Sequence, residues 1–219
     1  MIELPAVAVV GGTGHLGAAI ARRLALAGYP IIIGSRDPER AREAAARLSG
    51  ILPTAIRGAS NPQAAREGTI VIVAVPFTFQ AQILADIRSS VGGKIIVDTT
   101  VPLMPPKVMR VQLPPEGSAA QIAQKILGDK VKVVSAFHNV PAHKLATDQE
   151  IDCDVLVFGD DKESCARVID LVKACRLRGL HGGSLANSAA AEAFTSILIS
   201  INKHYSVDGA GIRITGELK

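Results

Sequence analysis

The chain has 219 residues, 48% of them hydrophobic and 20% charged, with a formal net charge of +4. That is the balance of a soluble globular protein with room for one sizeable core and a small appendage. Aromatic residues make up only 3% with no Trp, and the cations are dispersed apart from one arginine-rich stretch, which argues against a stacking platform for nucleic acid and suits a phosphorylated small ligand.

Taken in order, apolar runs alternate with helical patterns. Residues 6–10, "AVAVV", are continuously apolar and read as a strand buried on both faces. Residues 17–28 read as a helix with Ile20 and Leu24 facing the sheet, Arg22 and Arg23 outward, and Gly28 as its stop. A second strand (30–34) precedes a helix over 37–50 that opens on Asp37-Pro38. A short strand (54–58), a short helix (61–68) and a strongly apolar strand (69–76) follow, then a helix (78–90) and a strand (94–100).

Residues 101–118 hold five prolines and read as a long loop, the kind that is more often functional than idle. Beyond it lie a helix (119–127), strands at 131–137 and 154–159, a helix (162–176) and a long alanine-rich helix (184–205). The expected fold is α/β, a Rossmann-like doubly wound parallel sheet with a small C-terminal helical extension. Residues 1–145 would form the dinucleotide-binding domain and 146–219 would complete a substrate crevice.

Cys153, Cys165 and Cys175 show no metal-like or C-x-x-C spacing and read as free thiols of a reducing compartment. The opening "MIELPAV" has no basic, apolar leader pattern, and no apolar run reaches the roughly 18 residues of a membrane span. A cytoplasmic protein with neither a membrane nor a nucleic-acid partner is expected.

The segment "GGTGHLG" carries most of the functional information. Gly12, Gly14 and Gly17 stand directly after a buried strand and open a helix, the context in which G-x-G-x-x-G holds a pyrophosphate on backbone amides. Thr13, His15 and Leu16 complete that segment. Gly11, Gly14 and Gly17 also match the spacing of short-chain dehydrogenases, but neither Tyr29 nor Tyr205 has a lysine four residues on, so that chemistry is absent. At the end of the second strand an NAD enzyme usually carries an acid for the ribose 2′-hydroxyl. Here stand Ser35 and Arg36, with Arg40 one turn later. A hydroxyl and two guanidiniums suit a 2′-phosphate, so NADP is the expected dinucleotide.

Other strand ends point at the redox half of the crevice. Val75 and Pro76 close one strand, and His138 follows the strand 131–137. Three roles stay open for His138: proton transfer, a positioning hydrogen bond, or a steric wall. No acid/base set for carbonyl chemistry is evident, which agrees with hydride transfer between two carrier rings. A flavin or other small acceptor, or a module that senses NADP(H) without turnover, would fit the same residues.

"GGTGHLG", "GSRDPER", "SAFHNVPAHKL", "DCDVLVFGDD", "SLANSAAAEAFTSILISINKHY" and "GAGIRITG" together, over nearly the whole chain, resemble the NADPH-dependent coenzyme F420 reductases, the F420H2:NADP+ oxidoreductases. The resemblance implies reversible hydride transfer between NADP and the deazaflavin F420 in a homodimer. It implies that Thr13, Ser35, Arg36 and Arg40 hold the 2′-phosphate and that Val75 and Pro76 lie beside the nicotinamide ribose. His138 and Val140 would approach the two rings as the catalytic pair, with the proline-rich loop and Gly117-Ser118-Ala119 covering the deazaflavin. No metal is implied. The chain departs from some relatives at Ala189, where they carry a basic residue.

Overall fold

The computed structural model describes residues 4–50 and 54–217; Met1, Ile2 and Glu3, which open the stretch read for a leader, lie outside them. The strands are β1 (Val7–Val10), β2 (Ile31–Ser35), β3 (Ile56–Ser60), β4 (Ile70–Val73), β5 (Ile95–Asp98), β6 (Lys132–Ser135), β7 (Asp154–Gly159) and β8 (Arg178–His181). The helices are α1 (His15–Leu26), α2 (Pro38–Ser49), α3 (Asn61–Glu67), α4 (Phe77–Ile87), α5 (Ala119–Leu127), α6 (Ala142–Leu145), α7 (Lys162–Ala174) and α8 (Ser188–Tyr205). Residues 101–118 form no helix or strand, as their prolines demand.

The strands lie in the order β3-β2-β1-β4-β5-β6-β7-β8. From β3 to β6 every pairing is parallel. Each crossover puts a helix or loop on a face of the sheet, so both faces are covered. Alternate residues of the same strands therefore feed two cores. Val7, Val9, Ile70 and Ile72 pack to one side, and Ala8, Val10, Val71 and Val73 to the other. This explains why the strands read as unbroken apolar runs rather than as alternations.

The sheet departs from all-parallel at β7, which pairs antiparallel with β6 through Val134↔Gly159 and Ser135↔Phe158. A parallel return needs a crossover of a dozen or more residues, usually a full helix. Between β6 and β7 the chain forms only the four-residue α6, so it stays at the carboxyl edge and β7 starts from there. α7 then supplies a true crossover, and β8 pairs parallel with β7. This short, half-exposed strand, "RGLH", has no apolar run to betray it in the sequence. α8, at 18 residues about 27 Å long, packs against α5 and β7 and reaches the residues that follow β6 through Thr195, which donates to the His138 carbonyl at 3.0 Å.

Arg23 corrects the expectation of an outward side chain. It is 2% exposed and donates to the carbonyls of Leu145 (3.0 Å), Gln149 (2.9 Å) and Cys175 (3.3 Å). Its neighbour Arg22 is itself partly covered and pairs with the exposed Asp148 at 2.8 Å. The guanidinium fork thus ties α1 to the end of α6 and to the end of α7, a fit that lysine cannot copy. Arg23→Ala should destabilise the protein by about 3 kcal/mol, because buried carbonyls lose charge-assisted donors. Urea unfolding should show the loss, with Arg23→Lys recovering only part of it; a midpoint unchanged in Arg23→Ala would refute the role.

Candidate functional site

The turn from β1 into α1 is built from glycines for separate reasons. Gly11 sits at φ +78°, in the left-handed region where a side chain is strained. A Cβ on Gly17 would stand 2.7 Å from the Gly11 carbonyl oxygen and 2.9 Å from Gly12 Cα, so α1 meets the turn at backbone contact. Gly12 is buried and Thr13 and Gly14 are exposed. Gly14 caps the helix without a side-chain bond, and no acidic residue occupies the first turn. The first intrahelical donor is the Ala18 amide, to Gly14, which leaves the amides of His15, Leu16 and Gly17 for an external acceptor. An anion fits there, at the positive end of the helix dipole.

A cleft of about 360 Å³ opens beside this turn. Thr13 and Gly14 line one part of it, Ser35, Arg36 and Arg40 another, and Val75, Pro76 and Phe79 the far wall. Ser35 and Arg36 are brought there because β2 ends beside β1, in register with Val10 at Gly34. Asp37, just beyond, is turned to capping: its carboxylate accepts from the Glu39 amide at 2.9 Å.

The arginines of α2 and of the ends of β2 and β3 divide by partner. Arg42 is paired with Glu39, and Arg57 with Glu67 at 2.7 Å. Among the described residues Arg36 and Arg40 have no carboxylate partner. The two cations that face the cleft are therefore the ones left for an anionic ligand. Asn61 completes the wall, buried at the head of α3 with its carboxamide oxygen unpartnered.

His138 and Val140 lie deeper. They are 6% and 7% exposed and neither lines this cleft. Phe137, at φ +65°, makes a strained turn at the end of β6, the kind of backbone that clusters at functional sites. His138 Nε2 lies 2.7 Å from Ser135 Oγ, while its Nδ1 is buried without a partner. Burial pushes its pKa down to about 4, so the ring is neutral at physiological pH. Such a ring positions or packs; it does not arrive carrying a proton to give.

A buried acidic network underlies the same end of the sheet. Gln80 Nε2 donates to Asp98 at 2.5 Å and to the Ala119 carbonyl at 3.0 Å. Asp98 also accepts from the Thr100 amide at 2.9 Å. Glu192 of α8 accepts from the amides of Ala119 (2.6 Å) and Ala120 (3.2 Å), at the start of α5. Burial raises Asp98 to about 6, against the opposing bonds from Thr100 and Gln80. It raises Glu192 to about 7, with the Asp98 charge adding to it.

The structure thus brings together Thr13, Gly14, Ser35, Arg36, Arg40, Val75 and Pro76 around one cleft, with Gly12 and Gly17 beneath it. His15 is exposed, and Leu16 packs partly against the core. Sequence reasoning missed Phe79, Asn61 and the Asp98–Gln80–Glu192 network. Phe79, three residues past Pro76, was findable as an aromatic in the first turn after a strand end. The network was not, because its members are 18 to 73 residues from their partners.

Both raised carboxyls hold more protons folded than unfolded. Their contribution to stability is complete at low pH and is lost as pH rises through the window from the ordinary carboxyl range to about 7. Glu192→Gln removes the part of that loss that Glu192 carries. Its unfolding free energy should therefore rise more, or fall less, than that of the parent between pH 4.5 and 7. Urea titrations at stepped pH test this, and parallel pH curves for the two proteins would contradict it.

The family model described as NADP oxidoreductase coenzyme F420-dependent matches residues 6–102. The chain is 40% identical to the F420-dependent NADP reductase of Methanocaldococcus jannaschii, over 95% of this chain and 97% of that protein. It is 38% identical to the reductase of the same name from Methanothermobacter thermautotrophicus, over 95% and 94%. Among solved structures, a proposed F420-dependent NADP reductase from Arthrobacter sp. FB24 superposes with a TM-score of 0.81 at 25% identity, covering 96% of this chain and 99% of that one. A pyrroline-5-carboxylate reductase from Coxiella burnetii shares the fold, with a TM-score of 0.60 at 14% identity, over 93% of this chain and 71% of its own. With its glycine turn, its cationic strand end and its full-length match, the chain belongs to the family of F420-dependent NADP oxidoreductases.

Proposed function

We infer that the chain transfers a hydride reversibly between NADP(H) and coenzyme F420. When both are bound, the nicotinamide and the deazaflavin supply the redox chemistry, which needs their reacting atoms about 3–3.5 Å apart. The work of the protein is to hold, orient and exclude water. Residues 1–145 form the NADP-binding unit in this reading, and residues 146–219 complete the crevice.

The free amides of His15, Leu16 and Gly17 take the pyrophosphate, with Gly12, Thr13, Gly14 and Gly17 allowing its approach. Ser35 donates a hydroxyl to the 2′-phosphate, Arg36 and Arg40 neutralise it, and Thr13 closes the site. Val75 and Pro76 border the nicotinamide ribose. His138 acts as a neutral wall behind the rings, with Val140 beside it. The single observation that carries the NADP assignment is that Arg36 and Arg40 face the cleft unpaired while their neighbours Arg42 and Arg57 are paired.

A cover for the second ring is supported by the proline-rich loop. Its Met104, Met109, Val111 and Leu113 are 41%, 42%, 41% and 54% exposed, which leaves four apolar side chains on one loop available to a flat ligand. Ser196 of α8 donates to the Arg110 carbonyl at 3.4 Å, and Glu192 holds the following helix. Cys153, Cys165 and Cys175 are free and buried, which agrees with a cytoplasmic enzyme; among the described residues no helix is long and apolar enough to cross a membrane. Its partners are small redox molecules and a second copy of itself.

The homodimer is supported by an apolar groove of about 660 Å³ lined by Leu156, Phe158, Leu180, Ala190 and Phe194, with Phe194, Ile197 and Ile214 exposed beside it. Sedimentation should give a dimer, and Phe194→Asp should give a monomer. A monomeric parent protein would refute the pairing.

Mixing the protein with NADPH and oxidised F420 should bleach the deazaflavin absorbance. No bleaching there, with turnover of a free flavin instead, would overturn the choice of acceptor. Arg36→Ala should raise the KM for NADPH by roughly ten- to a hundredfold, the loss of a charge-assisted contact of about 1.5–3 kcal/mol, and should raise that for NADH far less. Equal losses for both coenzymes would refute the 2′-phosphate site.

A further inference from the structure

We propose that Glu192 of α8 is a positioning residue for the second ligand: its buried carboxylate closes the N-terminus of α5 and so fixes where the proline-rich loop, residues 101–118, lies. The proposal rests on the reading of that loop as the cover of the deazaflavin.

The loop is staked at its start, its end and its middle. At the start, the Asp98 carboxylate accepts from the Thr100 amide at 2.9 Å. At the end, Ala119 is held through both backbone groups: its amide donates to Glu192 at 2.6 Å, and its carbonyl accepts from Gln80 Nε2 at 3.0 Å. Gln80 also donates to Asp98 at 2.5 Å, so the two ends of the loop meet in one network. In the middle, the Arg110 carbonyl accepts from Ser196 at 3.4 Å. Ser196 stands one turn beyond Glu192 on the same face of α8, and Thr195 beside it donates to the His138 carbonyl at 3.0 Å. One helix thus touches both the loop and the segment that carries His138.

Capping alone does not call for this residue. Ser118 is already the N-cap of α5 and accepts from the Gln121 amide at 3.1 Å. Glu192 is a carboxylate only 1% exposed, with no cation paired to it among the described residues, and such a charge is costly to bury. It does at α5 what an external anion would do at α1, where the first amides are left open. Its charge also makes the tie conditional. Lys125 of α5 pairs with Glu116 at 3.3 Å, Asp154 of β7 with Arg178 at 2.6 Å, and Asp160 accepts from the Leu185 amide at 3.0 Å. His138 is neutral, and Lys107 and Arg110 of the loop are exposed. Asp98 is the charge that bears on Glu192, and with burial it raises the Glu192 carboxyl to about 7. Below that value a protonated carboxyl keeps one acceptor oxygen and turns a hydroxyl toward the second amide, so the clasp loosens.

Amide hydrogen exchange of the full chain and fluorescence titration with oxidised F420 test this on Glu192→Gln, a change of equal size whose NH2 group meets an amide donor. At pH 8 residues 101–120 should exchange about tenfold faster in the variant, and F420 should bind it about tenfold more weakly, the scale of one charge-assisted hydrogen bond. 2′,5′-ADP should bind both proteins alike, because Glu192 lies outside the NADP cleft. The ratio of the two F420 affinities, which cancels the titration of the ligand itself, should fall toward one by pH 6 as the carboxyl of the parent takes up its proton. Unchanged exchange refutes the clasp. Faster exchange with unchanged F420 affinity refutes the positioning role, as does an equal loss for 2′,5′-ADP, the mark of a residue that only supports the fold. A ratio that stays constant between pH 8 and 6 refutes the part given to the charge. A parent protein that binds no F420 strikes the proposed function instead, and the exchange result then decides the clasp by itself.

Discussion

How closely α1 can approach the end of β1 is the constraint behind the rest of the ligand-facing structure. Backbone meets backbone there: Gly17 has its neighbours on Gly11 and Gly12 at distances no side chain permits. That contact sets where the first free amides point. It also sets the width of the cleft, since the opposite wall is carried by β4, hydrogen-bonded to β1 on its other side. A methyl group at position 17 would lift the helix and move three donors together. The glycine loop is thus a packing device first, and its anion-binding character follows from where the packing leaves the helix end.

A second constraint is electrostatic and works by omission. Acidic residues near the cleft are spent elsewhere: Asp37 caps α2, Glu39 pairs with Arg42, and Glu67 with Arg57. Exposed pairs of this sort add little stability. Their consequence for the site is that, among the described residues, no carboxylate is paired with Arg36 or Arg40. The proposed 2′-phosphate site depends on that absence of competition among the described residues as much as on the two guanidiniums.

The far half of the molecule serves the near half. Because β7 reverses direction, the C-terminal part of the chain rejoins the sheet beside β6, and α8 packs against α5 and β7. α8 delivers Glu192 to the start of α5 and Thr195 to the His138 carbonyl at 3.0 Å. The segment after α8 and the start of β8 together tie down β7: Asp154 takes the Ile214 amide at 2.6 Å and an Arg178 guanidinium at 2.6 Å. The loop that carries His138 is thereby held from α8 and, through Asn139 on the Asp154 carbonyl at 2.8 Å, from β7.

Much of this was legible in the chain of letters. Continuous apolar runs gave away β1, β2 and β4 because a strand covered on both faces has no polar side to show. The glycine spacing and the Ser35-Arg36 pair lie within a few residues of a strand end, so local pattern sufficed to place them at the crevice. What local pattern cannot carry is direction, depth and partnership. The antiparallel turn of β7 depends on a crossover that is missing. The burial of Arg23 depends on carbonyls more than 120 residues away. The stacking of Phe79 on Arg36, and the meeting of Asp98 with Gln80 and of Glu192 with α5, arise only when separate elements are packed together. The sequence by itself determined which elements form and which chemistry stands at their ends; the tertiary structure alone decided which of those groups are buried, which are paired and which are left free for a ligand, because those are properties of distances between segments that the order of residues does not contain.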